Sequence, residues 1–153
     1  MGGFFGITSK KDCVQDVFFG VDYHSHLGNS RAGMASVNVE DGFQREIHNV
    51  ENSPFRTKFD NIASRLKGNA CVGCISDLEP QPLLIKSKFG TYAIVMVGYV
   101  ANSEQLVSDY LNGGYGIFQA VSGNRVNSVE LVAAIIEEKE SLTEGIKHMQ
   151  SLI

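Results

Sequence analysis

What this sequence lacks narrows its biology first. Net charge is −4 and Lys and Arg are scattered without a basic run, so no positive field draws nucleic acid or an anionic lipid surface. No apolar stretch reaches the length of a membrane span. The N-terminus has no charged segment leading into a long apolar one, which sets aside a secretory signal. Cysteine is sparse, and its number, three, is odd, which argues against a secreted disulfide framework and for a reducing cytoplasm. There is no Gly-x-Ser-x-Gly elbow, no Walker A sequence and no dinucleotide fingerprint, so no cofactor is expected. Met1-Gly2 raises N-myristoylation, but Gly6 stands where that motif needs Ser or Thr.

What is present is a chain of 153 residues, 43% hydrophobic, the size and composition of one globular domain. Gly3 to Thr8 is short, apolar and bounded by Gly and Ser, as in a buried strand. Cys13, Val14, Val17, Phe18 and Val21 recur at helical spacing within 12–23. A polar loop over 24–31 leads to a hairpin, 34–39 and 43–50, turning at Asp41-Gly42. Phe55, Phe59, Ile62, Ala63 and Leu66 mark a second helix, and 70–75 a strand.

Residues 83–87 and 91–100 form a second hairpin around Lys88-Phe89-Gly90, and the nearly all-apolar 91–100 predicts a strand buried on both faces. Asn102 with Gln105, and Asn127 with Glu130, have the spacing of capping boxes opening helices to about Leu111 and Lys139. Residues 141–153 are helical in pattern despite Gly145. Phe4, Phe5, Phe18 and Phe19 are expected in the core, and Lys10-Lys11 in a solvated turn. Sheets faced by helices, an α+β class, follow from this order.

The opening Met1-Gly2-Gly3-Phe4-Phe5-Gly6 resembles the Met-Cys-Gly-Ile-x-Gly start of the class II glutamine amidotransferases, which are N-terminal-nucleophile enzymes. The likeness continues in order and looks closest to the N-terminal part of amidophosphoribosyltransferase. His26-Leu27-Gly28-Asn29-Ser30-Arg31-Ala32-Gly33 is similar to the family's His-Arg-Gly-Gln-x-x-x-Gly. Gly73-Cys74-Ile75-Ser76-Asp77 stands where the family has Gly-His-x-Arg-Tyr, and Pro80-Gln81-Pro82 where it has Ala-Gln-Pro. Met96-Val97-Gly98-Tyr99-Val100-Ala101-Asn102 replaces His-Asn-Gly-x-x-x-Asn, and Asn127-Ser128-Val129-Glu130 replaces Ser-Asp-Ser-Glu.

The resemblance implies an N-terminal-nucleophile αββα sandwich, incomplete at the C-terminus, and a phosphoribosyltransferase domain downstream as partner. It further implies a place in purine nucleotide biosynthesis, and sheet edges left exposed by the early end that favour a homo-oligomer. It also locates what has changed. Gly2 takes the place of the nucleophilic cysteine and has no thiol with which to form an acyl-enzyme. Ser76 replaces the arginine that pairs with the substrate carboxylate, and cannot form that bidentate pair. Val97 replaces the asparagine donor of the oxyanion hole while Gly98 keeps its amide; losing one such donor costs roughly a hundredfold to a thousandfold in rate. Ser128 replaces the aspartate that holds the substrate amine.

The expectation is therefore a catalytically silent glutaminase-like domain with a structural or regulatory role. Two alternatives stay open. One is an active amidotransferase domain with another nucleophile, Cys74, or another ammonia donor. The other is a metal or redox module on Cys71-Val72-Gly73-Cys74 with Cys13, His24 and His26. The first reading carries no catalytic residue and no metal.

Overall fold

The computed structural model describes residues 2–153. The chain divides into two compact units, Met1–Leu84 with Ala93–Gly98, and Ile85–Tyr92 with Tyr99–Ile153.

The first unit is built on a four-stranded antiparallel sheet in the order β1-β4-β2-β3 (β1 Gly3–Thr8, β2 Arg31–Asn38, β3 Gly42–Asn49, β4 Ala70–Ser76). Its register sets Gly3 against Ile75, Ile75 against Ala32, and Ala32 against His48. Alternation then sends Ile75, Met34 and Cys71 to one face, where helices α1 (Val14–Tyr23) and α2 (Phe55–Arg65) cover them. Val14, Val17, Phe18 and Val21 of α1 meet Phe55, Phe59, Ile62 and Ala63 of α2 in that core. The Phe55 and Phe59 rings stack at 4.6 Å. The β2–β3 turn closes on the expected Asp41-Gly42: Asn38 exchanges side-chain hydrogen bonds with Asp41, and Gly42 takes a φ of +70° that a Cβ disfavours.

Strand alternation and helix geometry also correct the aromatic reading. Phe5 packs against the core and Phe18 is buried, but Phe4 and Phe19 are 56% and 54% exposed. Neighbours on a strand face opposite ways, and neighbours on a helix diverge by about 100°, so adjacent pairs cannot all face one core. Lys10 and Lys11 are exposed, as expected of a solvated turn.

The strands Leu83–Ser87 (β5) and Gly90–Ile94 (β6) pair as a two-stranded hairpin. The predicted strand over 91–100 is thus shorter, ending at Ile94, and it is half-buried or exposed rather than buried on both faces. An apolar run fixed neither the length, because it carries no internal stop signal, nor the burial, because a two-stranded hairpin leaves its strands partly uncovered.

The second unit holds α3 (Ser103–Asn112), a short hairpin of β7 (Val121–Ser122) and β8 (Arg125–Val126), α4 (Ser128–Glu137) and α5 (Leu142–Leu152). Both anticipated capping boxes are altered. The Asn102 amide donates to the Leu152 carbonyl at 2.7 Å and makes no side-chain cap, and Gln105 bonds Asp109 instead. Asn127 does cap α4, accepting from the Val129 amide at 2.9 Å. Glu130 does not reach back to Asn127; its carboxylate accepts the backbone amides of Gln119 and Ala120. The reciprocal pair occurs instead at Ser141, whose hydroxyl accepts from the Glu144 amide and donates to the Glu144 carboxylate. Gly145, the doubtful residue in α5, is where that helix crosses α4: a Cβ there would overlap the Ile136 carbonyl oxygen and lie 2.8 Å from Ile136 Cγ2.

Candidate functional site

The sheet sets the first half of the candidate site. Gly2 precedes β1 and lies against the end of β4. A Cβ built on Gly2 would stand 2.5 Å from the Ile75 carbonyl oxygen and 3.5 Å from Ser76 Cα. Gly2 and Ser76 are therefore neighbours. Any side chain at Gly2 would meet backbone that cannot rotate aside.

Ser76 ends β4 and is 8% exposed. Its hydroxyl accepts the amides of Leu78 at 3.2 Å and Glu79 at 3.4 Å, which folds the chain directly after the strand. A side chain occupied in a turn, short and neutral, does not present charge to a ligand. Asp77 beside it accepts the Asn29 amide at 2.9 Å, joining the loop before β2 to this turn.

Gln81 and Pro82 lie on the sheet face opposite α1 and α2. A Cβ on Gly33 would overlap the Gln81 carbonyl and come within 2.6 Å of Pro82 Cδ, so glycine here is a condition of contact between segment and sheet. Cys74 Sγ donates to the same Gln81 carbonyl at 3.4 Å. The Gln81 side chain, 3% exposed, then clamps the backbone of Met96, with Nε2 donating to its carbonyl at 2.9 Å and Oε1 accepting its amide at 2.8 Å. Met96 immediately precedes Val97 and Gly98, the pair expected at the oxyanion position. Gln81 thus positions that segment, a role that sequence reading missed; an amide residue before a proline, following an apolar strand, was its available signal. Val97 is 41% exposed and supplies no donor from its side chain.

Ser128 belongs to the second unit, as the first residue of α4 after the Asn127 cap. Glu130, two residues further along α4, is committed to the backbone of 119–120.

Cys74 is fully buried, and burial pushes its thiol up to about 12. A thiol so held carries almost no thiolate near neutral pH, which removes the main chemical attraction of Cys74 as a substitute nucleophile. The C-x-x-C reading is overturned by the strand itself. Cys71 and Cys74 are three residues apart on β4, so they face opposite sides of the sheet. Cys71 lies in the core under the helices, its thiol also raised to about 12 by burial, while Cys74 faces Gln81. Cys13 is buried too, donating to the Gly68 carbonyl. His24 and His26 are each bonded through Nδ1 to a carbonyl of the preceding turn, Gly20 and Tyr23. Among the described residues no three His, Cys, Asp or Glu side chains gather as metal ligands. No helix of these residues is long and apolar enough to cross a membrane.

The sequence matches no protein-family model and none of the curated proteins. Solved structures do match. The chain is similar over 99% of its length to the glutamine phosphoribosylpyrophosphate amidotransferase from B. subtilis, solved in complex with ADP and GMP, with a TM-score of 0.80 and 26% identity. It is similar, again over 99% and with a TM-score of 0.80, to a structure described as the allosteric regulatory enzyme of purine biosynthesis, at 24% identity. It covers 32% and 33% of those two chains, so it spans about a third of their length. The chain thus has the fold of that portion of the amidotransferase structures.

Proposed function

We propose that this chain is a glutaminase-like domain of an amidophosphoribosyltransferase-like protein, related to purine nucleotide synthesis, and that it does not hydrolyse glutamine. The reading includes an N-terminal-nucleophile-type αββα sandwich, a phosphoribosyltransferase domain as its partner in the parent protein, and assembly as a homo-oligomer. The domain's role in this reading is structural or regulatory. The structural likeness to phosphoribosylpyrophosphate amidotransferase supports the ancestry. The observation that carries the silence is at Gly2, where no thiol is present and where a Cβ would stand 2.5 Å from the Ile75 carbonyl oxygen. Ser76 in its turn and Val97 at the oxyanion position support the same conclusion. The chemistry that survives is recognition by shape and backbone polarity, without covalent turnover.

Release of labelled ammonia from glutamine tests this. The expected rate equals the uncatalysed background, and Gly2→Cys raises neither that rate nor acyl-enzyme formation seen by mass spectrometry. Turnover that disappears in Cys74→Ala would establish the alternative amidotransferase reading and overturn this one.

A further inference from the structure

A cavity of about 360 Å³ lies wholly within the second unit, among α3, α4 and α5, and none of its lining residues is one of the candidate-site positions. Its size is at the lower end of the range that small-ligand sites occupy, roughly 300–1,000 Å³. The floor is apolar, with Ile135 2% exposed. Two aromatic rings line it, Tyr110 and Tyr115, with centroids 5.6 Å apart and the Tyr110 hydroxyl donating to the Tyr115 carbonyl. Two carboxylates complete the wall. Glu138 bonds His148 at 3.1 Å across the α4–α5 crossing. Asp109 accepts a hydrogen bond from the neutral Gln105 amide, and among the described residues no cation pairs with it.

Aromatic faces and carboxylates together discriminate by charge. The negative face of a tyrosine ring attracts a cation, and so does an unpaired carboxylate; both repel an anion. The Tyr110 hydroxyl senses this field: burial first, and then Glu138, Glu137 and Glu130, hold its proton on more tightly than in a free tyrosine. We propose that this cavity binds a small organic cation, an ammonium with apolar substituents that sits against Tyr110 and Tyr115 with its charge toward Asp109. His148 is held by Glu138 at the inner wall, leaving Asp109 at the open rim as the carboxylate that meets the ligand.

The proposal is independent of the glutaminase-like reading, because it uses none of the same residues. Its test uses choline as the probe and 3,3-dimethylbutan-1-ol, which has the same shape without the charge, as the control. The chain has no tryptophan to mask tyrosine fluorescence, and assigned ring resonances separate Tyr110 and Tyr115 from Tyr23, Tyr92 and Tyr99. Choline should give saturable changes at Tyr110 and Tyr115 in the millimolar range or below, and the neutral alcohol none. Asp109→Asn and Tyr115→Ala change exposed side chains, so both variants should stay folded by circular dichroism while each weakens choline binding about tenfold. Equal binding of choline and the alcohol would reduce the cavity to an apolar pocket and overturn the proposal. An absence of saturable change with folded protein would overturn it as well, and so would unchanged choline affinity in both variants.

Discussion

The first unit shows most plainly the contacts that only glycine permits, and the second those in which a side chain holds main chain, although Gln81 and Gly145 give each unit an instance of the other. In the first, backbone meets backbone or ring where only glycine leaves room, as at Gly33 beneath Gln81-Pro82, and the pleated register allows no sideways adjustment. In the second, side chains reach to main chain: Asn127 to Val129, Ser141 to Glu144, Glu130 to 119–120, Asn102 to Leu152. The first kind of contact is intolerant of added atoms, whereas the second is lost only when atoms are removed. Gly33 and Pro82 fall in the contacts that cannot flex.

Four substitutions or conditions test that contrast. Gly33→Ala should cost the most, about 3 kcal/mol or more in urea unfolding, because the new methyl overlaps a carbonyl and a proline ring. Tolerance at this position would show that the 81–82 segment is free to lift from the sheet. Gly145→Ala applies the same insult to the second unit, against Ile136, but alanine regains about 1 kcal/mol of helix propensity. A net loss of about 1–2 kcal/mol is expected, and a stabilised protein would mean that α5 slides along α4. Asn127→Ala removes a cap and should cost about 1 kcal/mol, with Gly in place of Asn recovering most of it.

The fourth effect vanishes at neutral pH. Cys71 and Cys74 stay protonated in the folded protein up to about 12, while the unfolded thiols ionise from their ordinary value of 9.0. The unfolded chain therefore releases protons first, so stability is full below that value and declines as pH rises from there toward 12. Cys71→Ala with Cys74→Ala should flatten the alkaline limb of a stability–pH curve. The residual slope would come from Cys13, Tyr110 and Tyr92, whose protons burial first of all holds on; Tyr92, which Glu137 also raises, goes up to about 12. An undiminished slope in the double variant would move the titrating groups elsewhere.

Much of the first unit could be read from the amino acids because its signals are local. Gly and Ser bracket β1, the apolar periods of α1 and α2 fall on the residues that form the core, and Asp41-Gly42 turns the hairpin. The pairing order β1-β4-β2-β3 was not legible, since nothing local to β1 says that its neighbour comes some seventy residues later. Spacing showed where helices begin but not which partner a cap would choose: Glu130 had two free amides within reach at 119 and 120, and took them in place of its own helix terminus. At the candidate site the residue types were legible as letters. The obstruction at Gly2 and the grip of Gln81 on Met96 were not, because both are relations between distant segments.

Cys71 and Cys74 on one strand have a use that follows from their opposite directions. Each thiol is sealed by a different cover, helices over one and the 81–82 segment near the other. A thiol reagent reaching them at different rates would time the opening of each cover separately, from one strand and without introduced labels. If the 81–82 segment lifts before the helices part, Cys74 reacts first. The order of modification would then rank the breathing motions of the two sides of the sheet.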